Sequence, residues 1–334
     1  MSDAKHEKTG WRVKAPATSA NLGSAFDCGG LALRVYLDAL FIPLEAAGLT
    51  LAYEGKTASR IPLDGSNLLL RSLALAAQRC GAPPPAGHVL VESQIPVGAG
   101  LGSSAAAVVA GLLLGVHWSG KEVVPDQLLR WAEEIEGHID NAAAALHGGL
   151  VFALCNNTPR VVTLKADFPE EIKLVLVTPS IAVPTHEARR VLPGSYARQD
   201  VLHTLQRTAL LASTCFSGRF DLFPELFDDR LHQPYRKALV PGMARCLEYR
   251  REGLMGVAIS GSGSSVIAFA RDHQDQIAHD LKKIFVDEGL QAEALVTFAD
   301  NHGAAVAGEP LAPDYVAAIE KSRFRHGQPV GGKK

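Results

Sequence analysis

Residues 96–104 read PVGAGLGSS and run straight into a block of small apolar residues, AAAVVAGLLLG, from Ala105 to Gly115. Gly98, Gly100 and Gly102 alternate, which frees the backbone to turn N–H groups to one side, and the residues that follow begin a helix with a positive N-terminal end. The combination predicts an anion cradle. Upstream, Val89, Val91 and Ile95 alternate within His88–Ile95, so a strand with one apolar face delivers the glycines and Pro96 ends it. A glycine cluster alone also serves to pack a helix close on a sheet. The paired Ser103 and Ser104 tip the reading, because their hydroxyls can reach a phosphate or a magnesium ion, and as plain N-caps they would need no glycines before them.

The stretch is neither of the two commonest phosphate loops. A Walker A loop needs a lysine after its last glycine, and here Ser103 stands there. The dinucleotide fingerprint GxGxxG is missed as well, since the spacing is GxGxG and no second strand ending in an acidic residue follows about 20 residues later.

Bulk properties narrow the partners. At 334 residues the chain can hold two domains with real cores, and with a net charge of −2 it gives no reason to expect nucleic acid or an acidic membrane as partner. No apolar run approaches the roughly 18 residues of a membrane span, and the start MSDAKHEKTG lacks the apolar core of a signal peptide. Five scattered cysteines, Cys28, Cys80, Cys155, Cys215 and Cys246, form no CxxC pair and read as reduced thiols of a cytoplasmic protein.

Periodicity predicts strands over 11–17, 35–43 and 89–95, and helices over 67–81 and 126–136, the latter closed by Gly137. A new strand at Lys173–Val177 follows a polar connection and places a domain boundary near residue 168, giving domains 11–168 and 169–306. The second contains helices over 199–217 and 234–252 and strands over 255–260, 265–270 and 292–298. Residues 307–334, polar and basic, read as a loosely held tail.

Two more glycine-rich words, APATSANLGSAFDCGG at 15–30 and VAISGSGSSV at 257–266, lie between strand candidates. Each alone is a turn; three such words at strand ends predict one shared pocket. A fourth segment, WAEEIEGHIDN at 131–141, clusters Glu133, Glu134, Glu136, His138, Asp140 and Asn141 at a helix end. Phosphoryl transfer from ATP needs a carboxylate to hold magnesium and a polar group to orient the attacking hydroxyl, and this segment offers both. Its plainer reading is a solvated helix face with a polar cap. No second histidine at metal-ligand spacing supports zinc.

In this order, over residues 12 to about 300, the four segments resemble the motifs of the galactokinase, homoserine kinase, mevalonate kinase and phosphomevalonate kinase (GHMP) superfamily. APATSANLGSAFD, EGHIDN followed by GGL, and DRLHQPYR at 229–236 resemble its homoserine kinase family in particular. The resemblance implies an α+β, two-domain GHMP kinase fold. Its N-terminal domain would be like domain 2 of ribosomal protein S5, with a left-handed crossover that ordinary handedness rules disfavour. Its C-terminal domain would be ferredoxin-like, and ATP and acceptor would meet in the cleft between them.

The resemblance also implies roles. Pro96, Gly98, Ala99, Gly100, Leu101, Gly102, Ser103 and Ser104 would wrap the phosphates of ATP, with Gly261 and Gly263 of the third word beside them and Asn67 near the adenine. Ser104 and Glu136 would hold Mg2+, with Glu134 in reserve. L-homoserine would present its carboxylate to Arg189 and Arg236, whose planar forks suit that group, and its ammonium to Asn21 and Asp27. His138, Asp140 and Asn141 would surround its hydroxyl, and phosphorylation there would make O-phospho-L-homoserine on the way to threonine. Asp140 acts either as a base or, in the reading favoured here, by positioning alone. Homodimers are frequent among such proteins, and no surface feature compels one. Departures from the family pattern stand at Ser24-Ala25, Cys28-Gly29, Ile139, Ala144, Ser262 and Ser264; none removes an expected contact. Another small alcohol as acceptor, or a catalytically silent binding protein on the same scaffold, remains open.

Overall fold

A computed structural model describes residues 9–45, 48–55, 58–155 and 160–311. The first sheet uses β1 (Thr9–Asn21), β2 (Ala25–Pro43), β3 (Leu49–Gly55), β4 (Gly87–Ser93), β5 (Leu150–Cys155), β6 (Val161–Ala166) and, from the far end of the chain, β11 (Ala305–Pro310). Its path runs β11-β1-β2-β4-β3, and β5 pairs with both β2 and β6. Only β3 and β4 pair in parallel among these strands, joined through helix α1 (Leu68–Arg79). The other helices of this half are α2 (Ser103–Ser119), α3 (Pro125–Glu136) and α4 (Asp140–His147).

In chain order the second half runs β7 (Lys173–Pro179), α5 (Thr185–Arg190), α6 (Arg198–Ser217), α7 (Gln233–Arg236), α8 (Met243–Glu248), β8 (Leu254–Ile259), β9 (Val266–Ala270), α9 (Gln274–Asp287) and β10 (Ala292–Thr297). Its sheet order β10-β7-β9-β8, all antiparallel, is the β-α-β-β-α-β arrangement of a ferredoxin-like domain. The two halves share one core. Phe168 packs against Phe220, Phe223 and Phe269 where the sheets meet, beside Leu174 and Ile267.

Helix α2 carries the cradle and is apolar nearly all round, which requires burial on every side. It gets that burial against β1, α1, α3 and α4. Gly111 and Gly115 make the α1 contact possible: a Cβ at either would lie 2.3 Å from the carbonyl oxygen of Leu69 or Leu73. The alanines of α4 do the same work against β2, where a Cβ on Gly30 would lie 2.6 Å from the carbonyl oxygen of Asp140.

Several expectations need correction. The predicted helix 234–252 breaks into α7, a 3-10 turn and α8, because Pro241 offers no N–H and Gly242 adopts φ +84°. Helix α9 and the β5–β6 hairpin were not anticipated. The word at 15–30 is mostly strand, with only Leu22–Ser24 forming the turn. The expected tail begins too early: residues 307–310 belong to β11, clamped by Arg12, whose guanidinium bonds both Asp38 and Glu309. Residues 312–334 of that tail, and Cys155's side chain, lie outside what is described. No helix among the described residues is long and apolar enough to cross a membrane.

Candidate active site

All three alternate glycines of the cradle are in the left-handed region, with φ of +74°, +75° and +66° at Gly98, Gly100 and Gly102. The carbonyls of the loop are tied back to the scaffold. Those of Gly98, Ala99 and Leu101 accept from the amides of Val183 (3.2 Å), Ser265 (3.0 Å) and Thr18 (3.1 Å), and that of Gly100 accepts from the Ser260 hydroxyl (2.8 Å). Four successive carbonyls thus face protein, and the loop runs straight into α2, whose N-cap Gly102 supplies no side chain. Two of them are also sterically required: a Cβ on Gly100 would lie 2.2 Å from Ser260 O, and one on Gly102 would lie 1.9 Å from Thr18 Oγ1.

The loop lines a cavity of about 550 Å3 between the two halves. Of the residues anticipated from the sequence, Asn21, Asp27, Asn67, Pro96, Gly98–Ser104, Glu136, His138, Asp140, Asn141, Arg189, Arg236 and Gly261 all line it. Gly263 does not. It sits behind the loop, its carbonyl 2.7 Å from where a Cβ of Gly100 would be. Asn67 lines the cavity but is committed to α1, accepting from Leu69 N and Leu70 N and donating to Pro62 O. It shapes the cavity wall as a helix cap. Tyr53, Arg60, Ile61 and Pro62 complete that end and were missed, because they lie in segments without motif words.

Glu136 ends α3, its chain turned by Gly137 at φ +76°. One carboxylate oxygen accepts from the Ser104 hydroxyl; the other, Oε2, is buried without a partner. Burial pushes its carboxyl above the ordinary carboxylate value of 4.5, against the pull of Ser104 and His138. Glu134, the reserve choice, points elsewhere and pairs with Arg79 at 2.9 Å on the surface. Among the described residues no three carboxylate, histidine or cysteine groups gather as a metal cage.

Asp140, at the first position of α4, is only 2% exposed. Its Oδ1 accepts from Asn141 N (2.8 Å), Asn141 Nδ2 (3.1 Å) and His138 Nδ1 (3.0 Å), while Oδ2 meets no donor among the described residues. The bond to Asp140 raises the His138 imidazole above its usual value despite burial. At the far end, Asn21 (φ +71°) donates to Gly261 O at 2.7 Å and accepts from Asp27 N at 3.0 Å.

The word DRLHQPYR is the support of Arg236. Asp229 accepts from the amides of Leu231, His232 and Gln233 and so starts α7. Gln233 links Phe227 O to Ile259 N. His232 is fully buried and donates from Nε2 to Gly23 O, and burial pushes it down to about 4, so the ring is neutral with Nδ1 facing Arg236. Arg236 lies over the Phe26 ring, with Nε on Ala188 O (3.1 Å) and Nη1 on Gly261 O (3.2 Å). Desolvation lowers its pKa, a cost that an anion in the cavity would relieve.

Comparison with known proteins identifies the family. The GHMP kinases N terminal domain matches residues 67–149 and the GHMP kinases C terminal domain matches residues 208–287. A homoserine kinase of Solibacter usitatus is 35% identical over 285 residues, 85% of this chain and 93% of that one. The chain belongs to the homoserine kinase family of the GHMP kinases. A second homoserine kinase, from Desulfitobacterium hafniense, is 36% identical and covers 88% of this chain and 99% of its own length. The crystal structure of homoserine kinase from Cytophaga hutchinsonii superposes with a TM-score of 0.81 at 25% identity, covering 92% of this chain and all of that one. A mevalonate kinase structure superposes at 0.65 with 13% identity, a likeness of fold alone. The two-domain fold expected from the sequence is therefore that of the homoserine kinases.

Proposed function

We propose that the protein transfers the γ-phosphoryl group of ATP to the side-chain hydroxyl of L-homoserine, forming O-phospho-L-homoserine, a step toward threonine. The observation that carries the reading is the tied-back glycine loop. The loop lines the same cavity as the buried, desolvated Arg236, so one space offers an anion cradle at one end and a carboxylate anchor at the other. Magnesium fits the donor set: Glu136 leaves a buried oxygen unpartnered beside the Ser104 hydroxyl, and hard oxygen donors of this kind suit an ion that keeps water and phosphate as its remaining ligands. When bound, it would neutralise charge on the phosphates.

The protein's own groups supply positioning and charge. The amides from Gly98 to Ser104 take up phosphate oxygens, with the N-terminal end of α2 behind them. Arg236 and Arg189 receive the carboxylate; Asn21 and Asp27 face the ammonium. Asp140 Oδ2, the free oxygen of a carboxylate whose other oxygen is saturated, accepts the hydrogen bond of the acceptor hydroxyl and aims its lone pair at the γ-phosphorus. His138, whose bond to Asp140 favours its protonated form, would add positive charge where negative charge develops. The hydroxyl oxygen–phosphorus bond forms as the bond to the ADP oxygen breaks, and the hydroxyl proton passes to an oxygen of the transferred phosphoryl group.

ADP release with magnesium ATP, measured against homoserine, serine, threonine, mevalonate and galactose, tests the reading. A signal specific to homoserine is expected. A stronger signal with mevalonate or galactose reassigns the acceptor, and no substrate-stimulated release overturns the kinase.

A further inference from the structure

Thr18 belongs to none of the groups that line the cavity, yet its side chain connects the phosphate cradle to the acceptor end. It is completely buried on β1. Its amide holds Leu101 O, and its hydroxyl oxygen occupies the point where a side chain on Gly102 would stand, 1.9 Å from that ideal Cβ. The same hydroxyl bonds Asn141 Oδ1 at 2.8 Å.

The direction of this bond is forced. Asn141 Nδ2 faces Asp140 Oδ1, and an ionised carboxylate only accepts, so the NH2 of the amide must lie on that side. Asn141 Oδ1 therefore faces Thr18, and the Thr18 hydroxyl must donate. Three groups form one ordered chain in which the threonine proton fixes the asparagine amide and the amide fixes Oδ1 of Asp140. Without the donor, Asn141 Oδ1 is a partly buried acceptor with nothing to accept; rotating the amide to correct this would set its oxygen against the carboxylate.

We propose that Thr18 is a positioning residue for phosphoryl transfer, acting through Asn141 to hold Asp140 in the orientation that presents Oδ2 to the acceptor hydroxyl. The role rests on the kinase reading. It makes a prediction that a merely structural threonine does not, because the link to the nucleotide loop is through the Thr18 amide and survives any side-chain change. Thr18→Val keeps shape and volume but removes the donor. Turnover then falls by about 10- to 100-fold, the loss expected when a reacting group is slightly misplaced, while the KM for magnesium ATP stays within about twofold. Thr18→Ser keeps the hydroxyl and restores turnover to within about threefold of the parent.

The measurement is steady-state ADP release with homoserine for the parent, Thr18→Val and Thr18→Ser, with melting curves to establish folding. An inactive parent defeats the kinase reading itself. An active parent with an equally active Thr18→Val, or with a Thr18→Ser as impaired as Thr18→Val, defeats the role of the hydroxyl. Should Thr18→Val not fold, Thr18→Cys replaces it: its weak S–H donor gives a turnover below that of Thr18→Ser, and equality with serine overturns the proposal.

Discussion

Arg189 and Asp27 hold each other in a two-pronged ion pair, Nη1 to Oδ2 at 3.1 Å and Nη2 to Oδ1 at 2.9 Å, across the cavity mouth between α5 and β2. These are the groups expected to take opposite ends of an amino acid. A zwitterion can part them and satisfy both; a hydroxy acid without an ammonium parts them and leaves Asp27 alone. The parent enzyme should therefore discriminate strongly against 4-hydroxybutyrate. Asp27→Asn frees Arg189 beforehand, so the ratio of kcat/KM for homoserine over 4-hydroxybutyrate should fall by about 10- to 100-fold, since a site built to pair an N–H rejects its absence. An unchanged ratio would show that the pair plays no part in recognition.

Arg236 is the buried half of the proposed carboxylate anchor, and its bonds to Ala188 O and Gly261 O fix it without charge neutralisation. Arg236→Leu should raise the KM for homoserine about 100-fold and the KM for ATP far less, the loss of a charge-assisted contact being about 2–3 kcal/mol. Equal effects on both constants would place Arg236 elsewhere in the reaction.

Asp140→Asn separates positioning from proton abstraction. An asparagine can still accept from the acceptor hydroxyl, so turnover should drop but remain measurable above background. Complete loss, with homoserine and ATP binding intact, would establish Asp140 as the base.

Glu136 makes stability depend on pH. Its carboxyl is raised by burial above 4.5, so the fold without nucleotide binds that proton more tightly than the unfolded chain. The stabilisation is complete below about pH 4.5 and is lost as pH rises through the raised value. In Glu136→Gln this part of the pH dependence of Tm should vanish. Conversely, the magnesium concentration needed for half-maximal activity of the parent should rise as pH falls toward that value, because protons and the ion compete for the same oxygens.

Gly111 tests packing apart from chemistry. Alanine is the better helix former by about 1 kcal/mol, but its methyl would lie 2.3 Å from Leu69 O, a backbone atom that cannot step aside. Overpacking of this kind costs about 1–3 kcal/mol. Gly111→Ala should lower the denaturant midpoint, whereas a gain in stability would mean that α1 and α2 are free to separate.

Most of the site was legible because the chemistry needs particular residues in runs. Left-handed glycines, paired serines and a helix-end acidic cluster keep their meaning without a fold around them. Glu134 and Glu136 were harder to separate, since the side chains differ only in which way α3 faces when Gly137 turns the chain. Asn67 was placed near the base; it lines the cavity, and the capping of α1 by its side chain was not legible. Thr18 carried no signal: its donor role exists only once α4 stands against β1. The same limit applies to the fold. Helical periodicity over 234–252 ignored Pro241-Gly242, and the β5–β6 hairpin lacks a clean alternation because Leu154, Val162 and Leu164 are exposed apolar residues on it.

The pairing of β1 with β11 also sets the order in which the machinery is completed during synthesis. The segment leading into β11 lies against α4 and the second strand: Asp300 N bonds Ala32 O, Gly149 N bonds Asp300 O, and Ala304 N bonds Ala145 O. The strand carrying Thr18 and Asn21 is made long before β11, so its outer edge stays open until residue 310 has emerged. A nascent kinase thus waits, with its glycine loop already made, for β11 to close the sheet.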